Sequence, residues 1–378
     1  MKKNFLVGFW NYVPAGKIDA EESASDWADL GMGLAMSCEC DGEKDRAYIL
    51  QNLDAAAKRG IKVIVCDSRT RWKNYVAKGA ETFEKEVKTA AADYAAHPAF
   101  YAFHVGDEPG KEDWAHMLAA AKIVRRHARP FVNFFPFFEE DFIERVGVTH
   151  GGYEEKLSKA VQEIGLDMLC YDCYTQCYEH SREEGIDSYF YNLNRFYSAA
   201  KRGGADMWTT LLSVGHWSFR VPSEDDLRWQ ISTAAAHGAK GLLWFYVYGR
   251  LLESSYRQSP FDQYYQKTAT FGALARQNKL FRDHFAEKLS NAELLDVWHV
   301  GKSYGGTPLY TPGCIEGLSF TRKYEGPMIV SRFQEEGGGT FLLFVNNSQN
   351  DIQRIEGYYG GQAFGNWFAP GQMVIVQK

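Results

Sequence analysis

Short apolar runs alternate with longer amphipathic segments eight times between residues 5 and 248, and that alternation restricts the possible folds more than any other feature. Strands are predicted over 5–12, 34–40, 62–67, 100–105, 130–135, 168–174, 207–214 and 242–248. Helices are predicted between them, over 24–30, 44–59, 81–96, 112–127, 153–164, 188–201 and 224–237. In the second helix Ile49, Leu53 and Ala57 recur at helical spacing and Gly60 stops the run. Ser223 has the chemistry of a cap for the last one. Each connection is long enough for a parallel crossover, and eight such units close a (β/α)8 TIM barrel. An open doubly wound sheet is the rival architecture, but no Gly-rich dinucleotide turn follows the first strand.

One further long helix is predicted over 261–288, with Phe271, Leu274 and Phe281 on a common face. After Asn291 the texture changes: Gly, Pro and Asn punctuate runs such as Met328-Ile329-Val330, Phe341 to Val345 and Met373 to Val376. The expected organisation is a barrel over 1–290 followed by a small all-β, sandwich-like domain over 291–378.

The net charge is −6 with no Lys/Arg stripe, which excludes nucleic acid as a natural partner. No apolar run reaches the roughly 18 residues of a membrane span. The opening MKKNFLVGFWNY reads as a first strand, not a signal peptide. Seven cysteines fit no even-numbered disulfide framework, so reduced thiols and a cytoplasmic location are expected, or a periplasmic or secreted one had a signal been removed. Cys170 and Cys173 fall on opposite faces of one predicted strand, and with Cys177 they lack the paired spacing of a zinc site. No metal or organic cofactor is expected. Asn346-Asn347-Ser348 matches a glycosylation acceptor pattern, relevant only to a secreted eukaryotic protein.

A barrel carries its active site at the C-terminal ends of its strands. Those ends supply Trp10, Asn11 and Tyr12; Glu39 and Asp41; Asp67 and Arg69; Asp107 and Glu108; then Asn133; Tyr171, Asp172 and Tyr174; His216 and Trp217; and Tyr246, Tyr248 and Arg250. The set is acidic and aromatic, without a phosphate cradle, and it suits a neutral polyol. Aromatic residues make up 15% of the chain; most belong in the core, and those at strand ends can stack on sugar rings. Trp10, Asn11, Glu39, Asp67, Asp107, Asn133, Tyr171, His216, Trp217 and Tyr246 are the candidate substrate contacts.

The sharpest segment is HVGDEPG, residues 104–110. Two adjacent carboxylates close a strand, and Pro109 turns the chain out of the sheet. Glycoside cleavage needs one carboxyl group that keeps a proton and a second that is ionised. Repulsion from Asp107 raises the pKa of Glu108, the direction an acid requires. A helix N-cap with acidic first-turn residues explains the same letters without chemistry. The position at a strand end favours the catalytic reading.

Asp-Glu-Pro after strand four resembles the Asn-Glu-Pro acid/base motif of clan A glycoside hydrolases. VGDEP (105–109), DMLCYDCY (167–174), TLLSVGHW (210–217) and LRWQISTAAAHGAKGLLWFYVY (227–248) are further similar to uncharacterised bacterial barrels related to family 42 β-galactosidases. The resemblance implies Glu108 as general acid/base and a nucleophilic Glu after strand seven. The chain departs there, since no carboxylate follows TTLLSVGHW before Glu224, and Asp107 stands where the motif carries Asn. By fold-level analogy Asp172 is the substitute, with Glu39 second. The expected function is hydrolysis of a neutral oligo- or polysaccharide; the alternative is a carbohydrate-binding barrel that has lost catalysis.

Overall fold

The computed structural model describes residues 4–138, 141–249 and 255–378. Eight parallel strands form the barrel: β1 (Leu6–Phe9), β2 (Leu34–Cys40), β3 (Lys62–Asp67), β4 (Phe100–Asp107), β5 (Pro130–Phe134), β6 (Met168–Asp172), β7 (Asp206–Leu212) and β8 (Gly241–Phe245). They pair in the order β1-β8-β7-β6-β5-β4-β3-β2. At the remaining seam the Gly33 N–H donates to Val7 O at 2.9 Å. Gly8 permits that approach, because a Cβ there would sit 2.9 Å from Leu243 and 3.0 Å from Leu34.

The helical layer comprises α1 (Ala20–Asp29), α2 (Arg46–Ala57), α3 (Trp72–Tyr94), α4 (Trp114–Arg125), a short α5 (Phe142–Val146), α6 (His150–Ile164), α7 (Arg182–Gly203), α8 (Glu224–Ala236) and α9 (Ala269–Phe281). Local chemistry explains several ends. Asp19 accepts from the Glu21 and Glu22 amides, and Ser223 with Asp226 forms a reciprocal capping box. Expected helix starts also move to Ala20 for α1 and Arg182 for α7, and two shift further. α3 begins at Trp72, ahead of the expected 81, because Gly79 at φ 75° kinks it and only the second piece reads cleanly as periodic. The helix expected from 261 starts at Ala269; Phe261 instead bridges to Tyr248 and Lys267, and a π turn (Arg282–Ala286) carries α9 onward.

Strand alternation sorts side chains between two cores. Met168 and Cys170 enter the barrel interior, whereas Leu169, Tyr171 and Cys173 pack in the helical layer. Gly241 leaves room for Trp208 in the interior, since a Cβ would lie 2.2 Å from that indole.

The remaining strands are β9 (Ala292–Val300), β10 (Leu318–Arg322), β11 (Met328–Glu335), β12 (Thr340–Asn346), β13 (Gln353–Tyr359), β14 (Gln362–Phe368) and β15 (Met373–Gln377). They form an antiparallel four-stranded sheet, β15-β12-β11-β9, and a three-stranded one, β10-β13-β14. The four-stranded sheet is apolar on both faces. Met328, Val330, Leu342 and Phe344 meet Leu318, Ile355 and Phe368 of the other sheet, while Ile329, Phe333, Phe341, Leu343 and Val345 belong to the core shared with the barrel helices. Ser331 donates to Ala236 O at 2.8 Å and the Trp229 indole to Asn347 Oδ1 at 3.0 Å, which ties this sheet to α8. Asn346 is buried and its amide donates to Asp351 O and Ala369 O, so the acceptor pattern noted there is not presented for glycosylation. Among the described residues no helix is long and apolar enough to cross a membrane.

Candidate active site

β4, β5 and β6 deliver Asp107, Asn133 and Asp172 to one end of the barrel, with Asp107 in register with Asn133. The Asn133 amide nitrogen donates to Asp107 Oδ1 at 3.0 Å and to Asp172 Oδ1 at 2.7 Å. One buried side chain thus holds two carboxylates together. The Asn133 backbone carbonyl also accepts from the Glu108 N–H at 2.9 Å. Glu108 takes a left-handed backbone, φ 43°, a conformation that costs a residue with a Cβ about 1–2 kcal/mol and is concentrated at functional sites.

The electrostatics follow from this crowding. Burial pushes the Glu108 carboxyl up to about 9, the charges of Asp172 and Asp107 add to the shift, and Arg145 opposes it. Burial also takes Asp172 up to about 7, reinforced by Asp107 and opposed by hydrogen bonds from Asn133 and Tyr174. Asp107 rises for the same first reason, countered by Asn133 and then by Arg71. By surface area Asp107 and Glu108 are exposed at the barrel mouth, while protein atoms crowd their surroundings closely enough for desolvation to lead. A carboxyl that keeps its proton at neutral pH lies beside one that ionises there.

That raised pKa carries a stability consequence. The folded state favours protonated Glu108, so ionisation opposes folding; the effect is absent below an unfolded carboxyl's pKa of about 4.3 and grows as pH rises toward 9. After allowance for solvent contact, Glu108→Gln is expected to gain on the order of 1 kcal/mol at pH 7 and nothing at pH 4. Denaturant melts at both pH values measure this; a variant weaker than wild type at pH 7 contradicts the electrostatic description.

The other sequence candidates separate. Trp10 is buried as a floor, donating to Thr210 Oγ1 at 3.2 Å with its ring against His104. Asn11 is spent internally, donating to Met36 O and accepting from the Val13 N–H. Glu39 lies on the rim, largely exposed, 3.6 Å from Arg71. Trp217 is 70% exposed. His216 is buried and stacked on Tyr256 at 5.0 Å, and Tyr246 is buried against Tyr12 and Tyr256. Arg250 falls outside the described residues.

Two further candidates are engaged away from the mouth. Asp67 is fully buried and caps the turn that follows it, both its oxygens being taken by Arg69 at 2.8–3.0 Å. Tyr171 faces away from the mouth and stacks on Phe196 at 3.8 Å, because neighbours on a strand point to opposite sides and Asp172 takes the inner one.

Sequence reasoning passed over Arg71 and His104. Arg71 donates to His104 Nδ1 at 2.5 Å, which leaves the proton on Nε2, directed at Gly106 O at 3.0 Å. Burial and the guanidinium keep this imidazole neutral. The pair braces β4 just before Asp107. Inward alternation along β4 was the one available signal for His104; nothing local announces Arg71. After β7, the Ser213 hydroxyl donates to Tyr246 O, and Glu224 sits in α8 paired with Arg276 at 2.6 Å. Neither supplies the missing strand-seven carboxylate.

No family model matches the chain, and no curated protein matches its sequence. Solved structures match its shape. A β-galactosidase from the psychrophilic Marinomonas ef1 is similar at TM-score 0.55 and 14% identity over 75% of this chain, which spans 61% of that protein. A GH5_18 protein from Bifidobacterium longum subsp. infantis is similar at TM-score 0.54 and 15% identity, covering 75% of this chain and 80% of its own. A hyperthermostable endo-1,4-β-D-mannanase from Thermotoga petrophila RKU-1 gives TM-score 0.52 and 13% identity, covering 73% and 99%. At such identities the likeness establishes the barrel fold.

Proposed function

We propose that the chain is a glycoside hydrolase acting on a neutral oligo- or polysaccharide, with Glu108 as general acid/base and Asp172 as its partner carboxylate. The observation that carries this reading is the Asn133 bridge between Asp107 and Asp172 beside a Glu108 held protonated. Two of the similar folds bear the printed names of glycosidases, a β-galactosidase and a β-mannanase, which supports the same class.

Glu108 donates its proton to the leaving oxygen, and ionised Asp172 attacks the anomeric carbon or takes a proton from water. Asn133 Oδ1 is buried without a hydrogen-bond partner among the described residues, a deficit that a substrate hydroxyl or a protonated carboxyl relieves. Trp217 offers a stacking surface at the rim. The chemistry calls on side chains alone.

The pH profile of kcat/KM tests the assignment. Activity should rise through about 7 as Asp172 ionises and fall through about 9 as Glu108 loses its proton. Asp172→Gly should abolish turnover of aryl glycosides, with azide restoring product release as a glycosyl azide. Failure of azide to restore any turnover in a folded variant shifts the partner role to Glu39. Tight glycan binding without product release from any of a panel of oligosaccharides establishes the binding barrel instead.

A further inference from the structure

Of the exposed tryptophans and tyrosines among the described residues, Trp217 and Tyr264 lie in loops after β7 and β8, whereas Tyr358 and Trp367 stand on the three-stranded sheet, with Tyr324 in the loop after β10. This sheet buries Leu318, Ile355, Tyr359 and Phe368 against its partner sheet and turns its other face to solvent. The outward face is ordered by register. Tyr358 lies between Ser319 on β10 and Ala363 on β14, neither large enough to cover its ring, and it remains 58% exposed. Glu356 lies between Thr321 and Gly365, and Arg354 stands opposite Trp367. Beside Tyr358 and Glu356 runs a shallow groove of about 530 Å³, lined by the small residues at 319, 363 and 365, and Trp367 stands beyond its end.

Trp367 does not dangle. Lys323 and Arg354 both lie 5.1 Å from its ring centre, Tyr324 flanks it at 6.3 Å, and it is still 48% exposed. Two cations and a ring fix the indole before any ligand arrives, which lowers the ordering cost of binding. Register separates Trp367 from Tyr358 by four residues along the strand, about 13 Å at strand rise. Glu356 accepts from Arg354 Nε at 3.0 Å, so the pair presents carboxylate acceptors and guanidinium donors on the same face.

We propose that this face binds a stretch of polysaccharide, its pyranose rings stacked on Tyr358 and Trp367 and its hydroxyls bonded to Glu356, Arg354 and Thr321. Spaced rings with polar groups between them match a chain whose apolar C–H faces alternate with hydroxyls. A protein partner instead prefers one contiguous apolar patch. The identity of the polymer, the one cleaved at the barrel, rests on the hydrolase reading above; the binding face does not.

The test uses the full chain in native gels cast with galactomannan, xyloglucan or β-galactan, with aryl-glycoside turnover measured in parallel. Wild type should be retarded by at least one polymer. Tyr358→Ala and Tyr358→Ala/Trp367→Ala should lose that retardation, at least tenfold in apparent affinity for the double variant, with melting temperature and aryl-glycoside turnover unchanged. Retardation equal to wild type in the double variant overturns the proposal, as does a wild type that cleaves aryl glycosides but is retarded by no polymer. Retardation that depends on Tyr358, in a protein that turns over no glycoside, upholds the binding face and counts against the hydrolase.

Discussion

Glu108→Gln is expected to preserve the fold and to lower turnover of a substrate with a poor leaving group by roughly 10²–10⁴-fold, the usual contribution of general acid assistance. Gln fills nearly the same volume and can donate a hydrogen bond, but it cannot transfer a proton. The loss should therefore shrink on aryl glycosides whose leaving group departs without help. The alkaline limb of the pH profile should also disappear, because the group responsible for it, shifted to about 9 by burial and by Asp172 and Asp107, is gone. The acid limb near 7 should stay in place, since burial and the Asp107 charge set it and Glu108, still protonated there, adds no charge to Asp172. Steady-state kinetics on matched substrates across pH read all three effects. Full activity with the poor leaving group would sink the assignment.

Removing residues 291–378 is expected to cost solubility outright, and we propose 290 as the boundary of the barrel on that basis. The truncation strips Ile329, Phe333, Phe341, Leu343 and Val345 from the core they share with the barrel helices. It also leaves the Trp229 indole and the Ala236 carbonyl without the partners that Asn347 and Ser331 supply. Each buried apolar side chain contributes about 1.5–3 kcal/mol, so the uncovered face is both destabilising and aggregation-prone. A milder variant isolates the same contact. Phe341 is fully buried and stacked on Phe333 at 5.3 Å, so Phe341→Ala should cost about 3–5 kcal/mol in denaturant melts. A soluble, active truncation would show that the β-domain is dispensable to the barrel.

What could be read from the sequence was local in origin. Period-two and period-3.6 patterns arise within a few residues, which is why β2 and β3 fall where their apolar runs lie and why Ser223 caps α8. The barrel rule then places Asp107, Glu108, Asn133 and Asp172 at one end. Alternation, applied strictly, also turns Tyr171 outward once Asp172 is taken as inward. Where the local pattern is interrupted, as at Gly79 or around Phe261, the expected helix starts were wrong.

Tertiary structure decided the chemistry. No spacing rule reveals that one Asn133 amide joins carboxylates from β4 and β6, or that Arg71 reaches His104 across 33 positions. The sequence suggested Asp107 as the cause of a raised Glu108; in the fold burial comes first, Asp172 second and Asp107 third. Desolvation and Coulomb energy depend on which atoms surround a group in space, and that is settled only when distant strands close into a ring.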